Sequence, residues 1–158
     1  MTQEQIQDYT LRITQANKTM LITILYDMTL DYLQDALKLL DAGDTEGFER
    51  EIHHADACID ELIGSLNLNY ELAGNLLGLY LFEKKELLHG LVHRDRFAIE
   101  GAVRIFSSFR DAYRQVEHLD QDGPVMVNVP KVYAGLTYGR NELSDSVAGG
   151  GYNRGFTA

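Results

Sequence analysis

Residues 17–42 have the sequence NKTMLITILYDMTLDYLQDALKLLDA, which contains neither proline nor glycine. At 100° per residue, the apolar side chains fill one continuous arc of roughly 200°, about twice the width of a single buried helix face. Asn17 is a favoured N-cap residue, and Gly43 can adopt the left-handed conformation that commonly ends a helix. The stretch therefore predicts one long helix with more apolar surface than a single packing face needs.

The apolar arc of this helix has two interpretations. In the first, two neighbouring helices cover the arc, and the helix is the central element of a bundle. In the second, part of the arc is kept for an amphipathic segment of a partner protein, and residues 1–16 lie over that groove until the partner arrives. Polar side chains fill the opposite side of the helix: Asp27, Asp31, Gln34, Lys38 and Asp41.

Three further amphipathic helices are predicted after residue 42, because their apolar residues recur at spacings of three and four. Asp44 can cap the first, the second follows Asn69 and breaks near Arg94, and Asp95 can cap the third. Connections this short place consecutive helices antiparallel. We therefore expect an all-α fold, an antiparallel four-helix bundle over residues 1–119 with a short N-terminal helical arm.

The last quarter of the chain has a different composition. Both prolines and seven of the 14 glycines lie after Leu119, so residues 120–158 are predicted to form a flexible tail. The segment from Val132 to Tyr138, together with Leu143, is apolar enough to dock on the bundle as a competitor for a partner groove. The alternative is a disordered extension.

Charge and composition exclude several classes of function. The net charge is -10, and the basic residues are scattered, so we expect no binding to nucleic acid. The longest apolar run, residues 76–82, is far shorter than the ~20 residues that span a bilayer, so we expect no membrane insertion. The N-terminus lacks a secretory signal pattern, and the single cysteine, Cys58, has no internal partner. These features favour a cytoplasmic protein.

Metal chemistry is the best enzymatic alternative. Glu51 with His54 and Glu86 with His89 have the Glu-x-x-His spacing of di-iron carboxylate bundles. In such sites the ligands point into the core, whereas these four residues flank the apolar seams, so we expect them to face water. Cys58 has no basic neighbour and is predicted to be a structural thiol. We expect no metal, no cofactor and no enzymatic activity.

Two sequence blocks carry a family resemblance. Residues 21–27, with Leu25-Tyr26-Asp27, resemble the Leu-x-x-x-Leu-Tyr-Asp segment of the FliS family of flagellin-specific export chaperones. Residues 71–76, followed by Leu79-Tyr80, resemble that family's Glu-Ile-Ala-x-Asn-Leu-x-x-Leu-Tyr segment. The resemblance extends from about residue 6 to residue 119, and Met28 departs from it where a glycine is common.

The resemblance implies a function and a partner site. A protein of this family binds the C-terminal amphipathic segment of flagellin in the cytoplasm, prevents premature polymerisation and helps to present flagellin to the export gate. On this basis Ile6 and Tyr9 are predicted to form the movable cover of the groove. The groove itself is predicted to contain Leu21, Leu25, Tyr26, Leu76, Leu79 and Tyr80. Each of these residues has core packing as its alternative role, since leucine and tyrosine at helical spacing are usually core.

Overall fold

The structure, a computed structural model, describes residues 1–126, and within them every regular element is an α-helix. This confirms the predicted all-α class. The helices are α1 (Gln3–Gln15), α2 (Lys18–Asp41), α3 (Thr45–Gly64), α4 (Glu71–His93) and α5 (Arg96–Glu117). In the bundle α2 packs on α3 and α5, and α4 packs on the same two helices from the other side. The arm, α1, packs on α2 alone among these helices.

Short polar residues set the helix ends as the sequence predicts. Asn17 accepts a hydrogen bond from the backbone N–H of Met20 at 2.8 Å, and Asp44 accepts one from Gly47 at 2.9 Å. Asp95 caps α5, and Gly43 takes the left-handed conformation after α2 with a φ of 73°. These side chains satisfy N–H groups that have no partner inside the helix.

The centre of the bundle is α2. Its apolar arc is covered by α3, by α5 and by the arm, and of its large apolar side chains only Met20 is more than a third exposed. The main core contains these fully buried residues, contributed by α2 to α5: Tyr26, Leu30, Leu33, Phe48, Ile52, Ile59, Leu62, Tyr80, Leu87, Ile99 and Phe106. Helices α3 and α5 thus cover part of the arc, as in the first interpretation, and the arm lies over another part, as in the second.

Helices α4 and α5 are in tight contact at Gly90. A Cβ atom at this position would lie 2.6 Å from Cδ1 of Ile99, closer than carbon atoms can pack. Gly90 therefore lets the end of α4 lie directly against the start of α5. None of the helices in residues 1–126 combines the length and the apolar character needed to cross a membrane.

The chain after α5 returns to the junction between α1 and α2. The Asp120 carboxylate accepts hydrogen bonds from the backbone N–H and the hydroxyl of Thr19, at 3.2 and 2.6 Å. The Val125 N–H donates to the Ala16 carbonyl at 3.0 Å. The domain boundary between residues 119 and 120 stays a prediction, and the docking hypothesis for residues 132–138 and Leu143 falls outside the described residues.

Candidate functional site

The arm makes a small apolar core of its own with α2. Tyr9, Ala16 and Ile24 are buried in this arm cluster. Partly buried side chains packed against them complete it: Met1, Ile13, Leu21 and Met28. The arm cluster is separate from the main core. The arm therefore covers a surface of α2 without contributing to the centre of the bundle.

Three carboxylates on α2 accept polar contacts from the N-terminal segment of the chain, which includes the arm. Asp27, Asp31 and Asp35 recur every four residues, which places them in a row on one face of the helix. The Tyr9 hydroxyl donates to Asp31 at 2.7 Å, and the Arg12 guanidinium donates to Asp27 at 2.6 Å. We call these three carboxylates the acidic row. Burial, followed by the bond to Asp31, raises the pKa of Tyr9 well above its ordinary value.

Asp27 differs from its neighbours in the acidic row because it is buried, with 7% of its surface exposed. The sequence placed it on the polar side of α2, opposite the apolar arc. It is tolerated inside because two arginines from different helices neutralise it. Arg12 of α1 bonds one carboxylate oxygen, and Arg114 of α5 bonds the other at 2.8 Å. Loss of the arm would therefore leave Asp27 with one of its two partners.

The two tyrosines of the family-like blocks lie in the main core. Tyr26 and Tyr80 are 0% and 1% exposed, and their hydroxyls hydrogen-bond each other. Phe106, Phe109 and Tyr113 of α5 pack around the Tyr26 ring. Burial raises the pKa of Tyr80 to about 12, although the hydrogen bond to Tyr26 opposes that rise. Neither tyrosine offers surface to a partner in this structure.

The other predicted site residues occupy several environments. Leu21 packs in the arm cluster, whereas Leu25 and Leu76 are partly buried against the main core. Ile6 and Leu79 are 51% and 44% exposed. Ile6 lies on α1 but outside the arm cluster, so Tyr9 is the member of the predicted cover that contacts α2.

Helix α4 has more exposed large apolar side chains than any other described helix. Six of its large apolar side chains are each more than 40% exposed: Leu72, Leu79, Leu81, Phe82, Leu88 and Val92. Its sequence is apolar on every side, and an exposed helix of that composition is typical of a partner surface. This signal is present in the sequence of residues 71–93, and α4 adds an open apolar face to the apolar surface of α2 that the arm covers.

Two grooves run beside α4. The groove toward α3 has a volume of about 280 Å³, and its apolar floor contains Ile52, Leu87 and Leu91. Lys84 lines the same groove and pairs with Asp56 and Asp60 on α3, at 2.8 and 2.7 Å. The groove toward α5 has a volume of about 270 Å³ and contains Phe82 and Phe97 among its lining residues. Both grooves are apolar in the middle and charged at the rim.

The predicted exposure of the Glu-x-x-His residues is wrong for Glu51. Its side chain is buried, because the amino group of Met1 lies 3.5 Å from one oxygen and Arg50 donates to the other at 3.3 Å. His54 and His89 are exposed, and Glu86 is half-buried. Within residues 1–126, no group of three or more His, Cys, Asp or Glu side chains has an arrangement that fits a metal ion.

Comparison with known protein families gives one match. The family model described as "Flagellar protein FliS" matches residues 1–120, which is more than half of the 158-residue chain. A search of curated proteins found no match. The matched region contains all five helices, including the arm and the exposed apolar face of α4.

Proposed function

The chain belongs to the FliS family of flagellar proteins, and from that membership we propose that it binds the C-terminal amphipathic segment of flagellin. Family membership implies the role of a flagellar export chaperone. In our proposal the protein holds the flagellin segment in the cytoplasm, prevents premature polymerisation and assists delivery to the flagellar export apparatus. The function is binding, and no catalysis is part of it.

The arm is the observation that carries this proposal. Among the described helices it packs on α2 alone, and its apolar contacts form a cluster separate from the main core. Its side chains bond the acidic row, and the Met1 amino group before it pairs with Asp35 of that row and with Glu51 of α3. An element attached in this way can leave while the four long helices stay packed. An amphipathic helix of the client can then take the same place on α2.

The surface under the arm specifies the chemistry of that client. The arm contributes apolar groups at Tyr9, Ile13 and Ala16 and hydrogen-bond donors to Asp27 and Asp31. A replacement must fill the same apolar positions, because emptied apolar surface costs about 25 cal/mol for each Å² returned to water. It must also bring a cation or hydroxyl to the two carboxylates, since buried charges need partners.

The predicted site residues fall into three groups within this proposal. Tyr9 and Leu21 belong to the surface that the arm covers, with Ile6 carried along on the same helix. Leu76 and Leu79 lie on α4, which the arm does not contact, so in this proposal they are outside the surface that the arm covers. Leu25, Tyr26 and Tyr80 support the site from beneath, because they pack against or within the main core.

Calorimetry with a synthetic peptide tests the proposed function. The peptide is the C-terminal segment of the flagellin encoded in the same genome, titrated into the full-length protein. We expect saturable one-to-one binding with a negative heat-capacity change, since apolar surface is buried. No binding at tens of micromolar peptide, with circular dichroism showing a folded protein, would refute the proposal.

A second titration tests the role of the arm. Arg12→Gln removes a contact that holds the arm closed, so we expect the peptide to bind several-fold more tightly, because less free energy is spent on displacing the arm. Arg110→Gln is the matched control, since within residues 1–126 Arg110 pairs only with its neighbour Asp111 on α5. Equal affinities for both variants and the native protein would mean that the arm does not compete with the client.

A further inference from the structure

The groove between α4 and α5 is open and has aromatic walls. Phe82 of α4 is 54% exposed, and Phe97 and Ile105 of α5 are 72% and 39% exposed. Gly101 lies in the lining, and a Cβ atom there would meet nothing closer than Arg104, at 3.8 Å. The exposure of large apolar side chains to water is unfavourable, and several of them around one groove are typical of an interaction site.

Glu83 lies in this groove and has no partner among the described residues. Only 4% of its surface is exposed, yet it forms neither a hydrogen bond nor an ion pair within residues 1–126. In the same region no fully enclosed side-chain oxygen lacks a hydrogen bond. The Glu83 carboxylate therefore keeps contact with solvent, and its residue lines the groove.

Lys84 and Arg104, the cationic side chains near Glu83, make contacts with other residues. Lys84 bonds Asp56 and Asp60 on the opposite side of α4. Arg104, the cation in the lining of the groove, lies over the Phe97 ring, with its guanidinium carbon 5.5 Å from the ring centroid. Burial, and then the neighbouring carboxylate of Glu86, raise the pKa of Glu83 above its ordinary value. A largely buried carboxylate in this position gains most from a cation supplied from outside.

We propose that the α4–α5 groove binds an amphipathic helical segment of a partner protein that presents one arginine or lysine within its apolar face, and that Glu83 selects this cation. A groove between two packed helices accepts the ridge of a third helix. Charge complementarity identifies the occupant, because Glu83 and Glu86 are the two carboxylates of the lining. The arm packs on α2 and not on these helices, so the groove is a second surface, independent of the proposed flagellin site.

A displayed peptide library tests this proposal on the full-length protein. The library is built on a helical pattern of about 16 residues, with one position in the apolar face varied among arginine, lysine, leucine, glutamine and glutamate. We expect the retained peptides to carry arginine or lysine at that position. No retained peptide, or retained peptides without a cation there, would overturn the proposal.

Variants then locate the binding of the retained peptides. We expect Glu83→Gln and Phe97→Ser each to weaken binding by at least about tenfold. Phe97 is largely exposed, so this second variant is expected to fold even if the first does not. Glu49→Gln, a change at an exposed position on α3, is the control and should bind like the native protein. Undiminished binding by the folded Phe97→Ser variant would place the peptides elsewhere.

Other occupants of the groove give different results. If the native protein is a dimer that Phe97→Ser converts to a monomer, a second copy occupies the groove and the proposal fails. If a zero-length carbodiimide links Glu83 to Lys131 in the free protein, the chain's own residues after 126 occupy it, and the proposal fails equally. Competition between a retained peptide and the flagellin peptide would remove the claim of two independent surfaces.

Discussion

The hydroxyl pair of Tyr26 and Tyr80 joins the two sequence blocks that resemble the FliS family. These residues are 54 positions apart in the sequence, and their contact fixes α2 against α4 inside the core. A buried hydroxyl without a partner is costly, whereas the removal of both hydroxyls leaves only an apolar contact. The pair therefore contributes more to the uniqueness of the packing than to its total free energy.

The first prediction follows from this pair. Tyr80→Phe leaves the Tyr26 hydroxyl without its partner, so we expect the free energy of unfolding to fall by about 1–3 kcal/mol in urea denaturation. The double variant Tyr26→Phe with Tyr80→Phe should lose less than the sum of the two single variants. Strictly additive losses would mean that the two hydroxyls do not interact.

The second prediction concerns Glu83 and pH. Because burial raises its pKa in the folded protein, the folded state resists ionisation of Glu83 more than the unfolded state does. This cost is absent at acidic pH, where both states are protonated. It appears as pH rises through the window between the ordinary and the raised pKa, and it is complete above that window.

Glu83→Gln removes the ionisation, so it measures this cost directly. We expect the variant to be more stable than the native protein at neutral pH, with the gain vanishing as the pH falls below the ordinary range of a glutamate. Glu86 and Arg104 are present in both proteins, so their contributions largely cancel in the difference. A gain that is constant with pH would contradict the assignment of the cost to ionisation.

Residue environments are the part that the sequence predicted least well. Asp27 was placed on the polar side of α2 and Glu51 beside a seam, yet both are buried. Their partners are remote in sequence: Arg12 and Arg114 lie 15 and 87 residues from Asp27, and the Met1 amino group lies 50 from Glu51. Helical periodicity reports which side of a helix is apolar, but it contains no information about such distant cations.

At the scale of whole elements, sequence patterns succeeded much better. The caps at Asn17, Asp44 and Asp95 and the stop at Gly43 were predicted because they are local chemistry. The predicted short N-terminal helical arm forms the 13-residue helix α1. Its stability comes from packing and polar contacts with α2, which its own sequence cannot reveal.

The third prediction uses two glycines of α4. A Cβ atom at Gly78 would meet nothing within 4 Å, so Gly78→Ala should raise the free energy of unfolding by up to about 1 kcal/mol through helix propensity. Gly90→Ala brings the same propensity gain but forces the buried Ile99 to move. We expect a net loss of about 1–2 kcal/mol in the same denaturation assay. If Gly90→Ala is as stabilising as Gly78→Ala, α4 and α5 do not approach as described.

The fourth prediction concerns the segment that clamps the base of the arm. The Asp120 carboxylate accepts hydrogen bonds from Thr19 at the start of α2, and the Val125 N–H donates to the carbonyl of Ala16 at the end of the arm. We expect Asp120→Ala to speed hydrogen exchange of the α1 amides severalfold without a change in total helicity. Asp122→Ala is the control, because its exposed side chain makes no contact with the arm. Unchanged exchange in α1 would mean that the clamp does not restrain it.

At the scale of the whole molecule, two apolar surfaces are managed in different ways. The surface on α2 is covered by the arm, whereas the face of α4 stays open. A net charge of -10 opposes association between copies of the protein. The apolar face of α4 can therefore stay open to partners without causing self-association. Charge and composition could be read from the sequence, but the separation of a covered from an open surface depends on how α1 docks.

The last prediction uses Cys58 as a reporter of whether the bundle opens as one unit. The thiol is buried between helices, and burial raises its pKa to about 11, so near neutral pH its thiolate fraction is roughly a hundredfold below that of an unperturbed thiol. A disulfide reagent should therefore label it at a rate that tracks global unfolding in urea, even when Arg12→Gln has loosened the arm. As a control, the exposed thiol of Glu49→Cys in a Cys58→Ala background should react at once in native buffer. Rapid labelling of Cys58 under native conditions, with helicity intact, would show that α2 and α3 separate locally and that arm displacement is not confined to the arm.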